Sequence, residues 1–205
     1  MLKLAKTVDP QGDVMIGDPP IARYLFSNTR LAWLWALVRV WLGWAWIDAA
    51  SHKVTDPAWV GSGQALREFW ERSLAVTAAG KPVIAVDWYR AFIQGLYDAQ
   101  AWTWMGPIIA WTEMTIGVVL ILGLFTGIAA FGGGVLNWSF VMAGTASTNM
   151  LMFPVAVLLI LAWKTAGWYG LDRWVLPLVG TPWAGGRLQR ERAGPGHTLR
   201  RQPQS

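Results

Sequence analysis

The 205-residue sequence contains no cysteine, and this absence excludes several kinds of chemistry. Without thiols the chain cannot form a disulfide, a thiolate nucleophile, a cysteine-ligated iron–sulfur cluster or a covalent haem attachment. Histidine is also scarce, because His52 and His197 are the only two. Since His197 lies in a polar C-terminal segment, two histidines within a membrane cannot clamp a haem. We therefore expect no haem, iron–sulfur cluster or metal, and any electrons must pass through a partner or an organic carrier.

Charged residues are few as well, at 14% of the chain, whereas hydrophobic residues make up 54%. With a mean hydropathy of +0.34, the chain is too apolar for an ordinary soluble domain. A helix needs about 20 apolar residues to cross a bilayer, and runs of that length occur at 31–51, 103–124, 126–145 and 149–169. The sequence therefore predicts an all-α membrane protein built as a four-helix transmembrane bundle. Residues 1–29 lack the apolar core of a signal peptide, so the first span should be retained.

The basic residues follow the pattern of membrane topology. Lysine and arginine number 17 against 12 aspartates and glutamates. Both ends of the chain are net positive, whereas the long loop at 52–101 has balanced charge. The positive-inside rule then places both termini in the cytoplasm and the loop outside. We expect a cytoplasmic arm at 1–29, a membrane domain at 30–177 and a flexible basic cytoplasmic tail at 178–205, with lipid rather than nucleic acid as the partner.

The long extracytoplasmic loop carries two amphipathic patterns. Apolar residues recur at three- and four-residue spacing in two sets: Leu66, Phe69, Trp70 and Leu74, and then Trp88, Phe92 and Leu96. This spacing places each set on one face of a helix. Asp87 is a plausible N-cap of the second helix. We therefore predict two amphipathic helices that lie on the outer membrane surface.

Three polar residues occur deep within the apolar runs. Counting about 1.5 Å per helical residue from the expected span ends, Arg39, Glu113 and Asn137 reach the same middle layer of the bilayer. A lone charge there costs several kcal/mol and usually pairs with another charge. We predict an Arg39–Glu113 ion pair, with Asn137 and Thr112 or Thr115 completing its hydrogen bonds. One interpretation is that the pair only stabilises the contact between helices. The other is that it has a function, in proton transfer or in binding the polar head of a ligand.

Asp48 and His52 are four residues apart near the outer end of the first span. A carboxylate one turn from an imidazole can orient it for proton exchange near neutral pH, although such residues are often only a solvated helix end. The polar turn from Thr145 to Asn149 should reach the same outer level. The candidates for attracting an anion at this level are Lys53, Arg67, Arg72, Lys81 and Arg90, although charges in such a loop usually form an ordinary solvated face.

Tryptophan is abundant, with 16 residues. Most are expected to form aromatic belts at the two membrane interfaces. Four are expected at greater depth: Trp41, Trp44, Trp111 and Trp138. There they either pack against lipid and neighbouring helices or stack against a flat ring.

Several segments together resemble the DoxX/DoxD family. They are the Gly…His-Lys pattern that ends the first span, then WTEMTIGVVLILGLFTGIAAF, the turn GTASTN, the closing LAWKTAGWYGLDRW, and the loop segments KVTDPAWVGSGQALREFW and DWYRAFIQ. The resemblance covers residues 30–177 and is strongest to the DoxD-like large subunit of thiosulfate:quinone oxidoreductases.

The resemblance implies a four-helix protein of the bacterial or archaeal cytoplasmic membrane that is linked to the quinone pool and to a partner subunit. The implied reaction is oxidation of thiosulfate to tetrathionate outside the cytoplasm, coupled to quinone reduction. The predicted catalytic residues are Glu113, Arg39, His52 and Asp48, and the predicted quinone-binding residues are Asn137, Asn149, Trp111 and Trp138. The alternative is a non-catalytic integral subunit that scaffolds a larger respiratory or photosynthetic complex, which the tryptophan content and the missing redox ligands fit equally well.

Overall fold

The computed structural model describes residues 18–145 and 147–179, together with the backbone of a two-residue antiparallel pair, β1 (Thr7–Val8) and β2 (Val14–Met15). Most of the predicted N-terminal arm and nearly all of the predicted basic tail lie outside the described residues. The helices are α1 (Pro20–Ser27), α2 (Ala32–Thr55), α3 (Pro57–Val60), α4 (Gln64–Leu74), α5 (Asp87–Asp98), α6 (Trp102–Leu122), α7 (Thr126–Met142), α8 (Asn149–Leu161), α9 (Trp163–Ala166) and α10 (Asp172–Val179). The prediction of an all-α protein is confirmed.

Within this part of the chain, α6 is the one helix that is both long and apolar enough to cross a membrane, and α8 is a shorter apolar helix. The helix that contains the first predicted span ends later than predicted, because α2 continues to Thr55. The last predicted span is not one continuous helix, because α8 ends at Leu161 and the chain turns at Ala162 before α9.

Helices α2 and α6 pack against each other in antiparallel orientation, and two glycines allow their close approach. A Cβ atom built on Gly43 would stand 2.8 Å from the carbonyl oxygen of Gly117, and one on Gly117 would stand 2.8 Å from the carbonyl oxygen of Gly43. Small residues permit such backbone contact between apolar helices. Helix α8 packs on α7, and the buried core between the pairs includes Leu42, Trp46 and Leu159.

The two helices predicted in the long loop are confirmed as α4 and α5. Their apolar faces form a second buried cluster that includes Leu66, Trp70 and Ile93 and rests on the first half of α6. Asp87 is not the N-cap of α5, because Val86 occupies that position and Asp87 is the first helical residue. These helices cover one end of the α2–α6–α7 group.

Candidate functional site

A cavity of about 250 Å³ opens between the last turns of α2, the middle of α6 and the turn from α7 to α8. Its polar lining consists of Lys53, Glu113, Thr145, Ser147, Thr148 and Asn149. Its aromatic walls are Trp46, Trp59, Phe69 and Phe140. We refer to it as the polar cavity. It is the place in the described structure where buried charge, hydrogen-bonding groups and flat rings meet.

A buried ion pair lies at the wall of the polar cavity. The ammonium of Lys53 donates to both carboxylate oxygens of Glu113, with nitrogen–oxygen distances of 2.7 Å. The Glu113 side chain is fully buried, whereas that of Lys53 remains 20% exposed. The Lys53 nitrogen also lies 4.9 Å from the ring centre of Trp59 and 5.0 Å from that of Phe140, which are cation–π distances. The lysine therefore joins a carboxylate and two aromatic faces.

Helical spacing explains how the sequence builds this wall. Trp46, Ala50 and Lys53 follow each other at intervals of four and three residues, so they occupy one face of α2. The Gly43–Gly117 contact holds that face against α6, and the extension of α2 to Thr55 carries Lys53 to the level of Glu113.

Two buried side chains near the polar cavity have polar atoms without a hydrogen-bond partner. The amide oxygen and nitrogen of Asn137 are both unpaired, and so is the indole nitrogen of Trp46. A Cβ atom at Gly133 would stand 2.9 Å from that indole nitrogen. Gly133, Asn137 and Phe140 share one face of α7 by their spacing, so the unpaired groups lie beside the cavity wall. Unpaired buried polar groups are costly, but Asn137 does not line the polar cavity, and the Trp46 indole nitrogen lies against Gly133 of α7.

The predicted Arg39–Glu113 pair is wrong. The Arg39 guanidinium donates to the carbonyl oxygen of Leu120, to that of Ile121 at 2.9 Å and to that of Tyr169 at 3.2 Å. Leu120 is seven residues after Glu113, which is about 10 Å along the helix. Arg39 therefore meets the end of α6, where carbonyl groups lack helical partners and carry partial negative charge. The prediction counted the depth of Arg39 from an expected span end at residue 51, whereas α2 continues to Thr55. The level assigned to Arg39 relative to α6 was therefore wrong.

Asp172 lies beside Arg39 in the chain's tertiary structure and forms a second polar centre with it, a role that the sequence analysis did not predict. Its carboxylate is buried and accepts from the backbone nitrogens of Phe125 at 2.6 Å and Thr126 at 2.9 Å. These amides begin α7, where an anion is favoured by the helix dipole. Arg39 and Asp172 thus bind the end of α6 and the start of α7, and they hold the turn between the two helices. About 46 residues separate Asp172 from its partners, so spacing could not reveal it.

The other predicted site residues divide between the polar cavity and the outer surface. Asn149 lines the cavity with Glu113, and its amide nitrogen donates to Ser147 at 2.9 Å. Asp48 and His52 are exposed and are not among the lining residues. Trp111 is 57% exposed, and Trp138 stacks on Trp88 with ring centres 6.2 Å apart. Neither tryptophan lines the polar cavity.

Sequence reasoning missed the aromatic walls and the partner of Glu113. Lys53 was considered only as an outer cation. Its position seven residues after Trp46 on the buried face of α2 was a usable signal, because residues seven apart lie on the same side of a helix. Phe69 and Phe140 gave no such signal, since they come from distant segments.

Two of the basic residues of the loop are paired with carboxylates. Arg67 donates to Glu71 at 2.9 Å, and Arg90 donates to Asp87 at 2.7 Å. The Tyr97 hydroxyl donates to the same Glu71 oxygen at 2.6 Å, and this bond, followed by the charge of Arg67, lowers the pKa of Glu71. These carboxylates offset two of the cations predicted to attract an anion.

Among residues 18–145 and 147–179, no group of three or more histidine, aspartate or glutamate side chains is placed to hold a metal ion. The site is thus built from one ion pair, amides, hydroxyls and aromatic rings. No protein-family model matches the chain, and no curated protein or solved structure matches it either.

Proposed function

We propose that the protein is an integral membrane protein in which α2, α6, α7 and the α8–α9 segment cross the bilayer, with both termini in the cytoplasm. The outward surface of these helices supports this proposal. Trp44, Trp111, Ile128 and Phe131 are between 57% and 71% exposed. Only 33% of the most apolar window of α6 is buried within the chain. A helix that is apolar all round but not buried by its own protein fits a lipid environment.

We further propose that the protein is a quinone-linked oxidoreductase component, and that the polar cavity binds the quinone ring. The observation that carries this proposal is the Lys53–Glu113 pair beneath aromatic walls. A quinone ring is flat and carries two carbonyl acceptors. Flat rings favour aromatic walls, and the third hydrogen of the Lys53 ammonium and the amide of Asn149 are donors for carbonyl oxygens.

The polar residues have separate roles in this proposal. Lys53 orients one carbonyl and donates a proton to that ring oxygen as the quinone is reduced, and Glu113 holds the ammonium in place. Water at the exposed side of Lys53 restores its proton and supplies the second proton of the quinol. The hydroxyl and amide groups that line the cavity favour a polar ring over a purely aliphatic ligand; they belong to Thr145, Ser147, Thr148 and Asn149. Water is restricted on the Glu113 side, because that side chain is fully buried.

The electron donor in this proposal is thiosulfate, as the resemblance to the DoxX/DoxD family implies. Two thiosulfate dianions release two electrons when they join as tetrathionate, and a quinone takes up two electrons and two protons when it becomes a quinol. The partly exposed Lys53 and the loop cations lie on the proposed outer side, where thiosulfate would arrive. A partner subunit that contacts this end would complete the donor site.

The experiment is quinone binding and thiosulfate-dependent quinone reduction by the protein in lipid nanodiscs. We expect Lys53→Met and Asn149→Ala to weaken binding of a tail-less benzoquinone at least tenfold, and Glu113→Gln to lower the reduction rate by a similar factor. Glu68→Gln is the matched control, because it makes the same chemical change on an exposed face of α4. Absence of quinone binding by the folded wild type would refute the proposal.

A second candidate is the non-catalytic integral subunit of a larger respiratory or photosynthetic complex. The observation that favours it is the tryptophan-rich surface of α2 and α6, where Trp33, Trp41, Trp44, Trp104 and Trp111 are each at least 45% exposed. Purification decides between the two candidates. A quinone-linked protein should retain quinone when purified alone, whereas a scaffold subunit should co-purify with partners and bind no quinone.

A further inference from the structure

A second cavity, of about 200 Å³, lies next to the polar cavity under the surface helices α4 and α5. Most of its lining is aliphatic or aromatic, and includes Leu66, Phe92, Ile93, Leu96, Ile109 and Leu136. We refer to it as the apolar cavity. It is bounded by α6 and α7, through Met105 and Ile109 of α6 and Leu136, Ser139 and Phe140 of α7.

The hydroxyl groups of the apolar cavity are already paired. The Tyr89 hydroxyl donates to the carbonyl oxygen of Ser139 at 2.8 Å, and the Ser139 hydroxyl donates to that of Val135 at 2.9 Å. The polar cavity differs, because an ion pair and several hydroxyl and amide side chains line it. One cavity therefore suits a polar ring, and the other suits hydrocarbon.

Two phenylalanines separate the cavities. Phe69 of α4 and Phe140 of α7 line both, and their rings meet edge to face with centres 5.8 Å apart. Phe69 is only half-buried, so a change of its rotamer is the movement that would join the two spaces. Rotation of a side chain of this kind is fast compared with ligand binding.

The volumes favour one ligand across both cavities. Pockets for small molecules typically measure about 300–1,000 Å³. The cavities of about 250 and 200 Å³ are each smaller than this, and they reach the range only when taken together, at about 450 Å³.

We propose that the ligand is amphiphilic, with its ring in the polar cavity and a hydrocarbon tail that passes Phe69 and Phe140 into the apolar cavity. This inference rests on the proposed quinone function and narrows the ligand to a tailed quinone. The surface helices α4 and α5 then form the roof over the tail. A tail beneath that roof is shielded from water on the extracytoplasmic side.

The test compares a benzoquinone without a tail and the same ring with a decyl chain, each bound to the full chain in one nanodisc composition. Affinities are expressed against the free aqueous concentration of each quinone, because burial of a methylene group strengthens binding about fourfold relative to water. Two or three buried groups then give the wild type a preference of about tenfold or more. Leu96→Trp and, independently, Ile93→Phe fill the apolar cavity from α5. Each should remove most of this preference and leave binding of the tail-less ring within about twofold.

Gln94→Trp is the control, because it adds the same bulk to an exposed position of α5 and should keep the wild-type preference. Partition of the decyl chain into lipid is equal for all variants and cancels in the comparison.

Folded variants that keep the full tail preference would overturn the inference. A decyl alcohol that binds as tightly as the tailed quinone would also overturn it, because that result describes a lipid site. If neither quinone binds the wild type, the proposed function fails as well; if only the tail preference is missing, the proposed function stands and this inference fails.

Discussion

The Lys53–Glu113 pair shows at the scale of single residues how a buried charge is made tolerable. Glu113 is fully buried and receives both of its hydrogen bonds from one ammonium. For such a pair, desolvation cancels much of the attraction between the charges. Its presence is therefore better explained by a task at the polar cavity than by stability alone.

The cost of breaking this pair can be measured. Lys53→Met leaves the Glu113 carboxylate buried without a partner, so we expect a loss of about 3–5 kcal/mol in the free energy of unfolding. The double variant Lys53→Met/Glu113→Leu should recover most of this loss, because it removes both charges. Denaturant unfolding in detergent, followed by far-UV circular dichroism, gives the three values.

Arg67→Met is the comparison for that experiment, since Arg67 also donates to a glutamate but on the exposed surface of α4. An exposed pair adds little stability, so this variant should unfold close to the wild type. Equal destabilisation by Arg67→Met and Lys53→Met, or no recovery in the double variant, would contradict the account of the buried pair.

At the scale of helices, the α2–α6 contact sets the geometry of the site. Gly117 faces Gly43 and Ile47 so closely that a Cβ atom would stand 2.7 Å from an Ile47 side-chain carbon and 2.8 Å from the Gly43 carbonyl oxygen. Gly95 of α5 is the opposite case, because a Cβ atom there would meet nothing within 4 Å. The same substitution should therefore have opposite effects at the two positions.

We expect Gly117→Ala to destabilise the protein by about 1–3 kcal/mol, because the added methyl group forces two backbones apart. Gly95→Ala should stabilise it by about 0.5–1 kcal/mol, because alanine restricts the unfolded chain and favours the helix. Unfolding midpoints measured side by side test both signs. A Gly117→Ala variant as stable as the wild type would show that α2 and α6 do not touch at this crossing.

The helices illustrate what the sequence could and could not predict. Apolar run length and spacing located α2, α6, α7, α4 and α5, because these signals are local. The register between helices was missed, because it depends on where a helix ends and on contacts such as Gly43–Gly117. Arg39 was therefore predicted at the level of Glu113, and Lys53 was predicted only as an outer cation. Asn149 was predicted within the site because it belongs to a polar turn whose position follows from chain direction alone.

At the scale of the whole molecule, two polar centres lie at opposite ends of the same helix group. The polar cavity lies at the end covered by α4 and α5, together with the turn before α8. Arg39 and Asp172 lie at the other end, where α1 is bound to α9 through the Thr165 hydroxyl and the Phe26 carbonyl oxygen at 3.0 Å. If the helices cross a bilayer, one centre faces the outside and the other lies near the cytoplasmic interface.

This arrangement predicts that α1 and α5 lie on opposite sides of the membrane. The chain contains no cysteine, so a single introduced thiol reports its own location without background. Gln94→Cys on α5 and Arg23→Cys on α1 are both at exposed positions. In intact spheroplasts of the expressing cells, a membrane-impermeant maleimide should label the α5 thiol and should reach the α1 thiol only after the membrane is opened. Labelling of both thiols in intact cells would contradict the proposed topology. If only the α1 thiol were labelled in intact cells, the polar cavity would lie on the cytoplasmic side, where extracytoplasmic thiosulfate could not reach it.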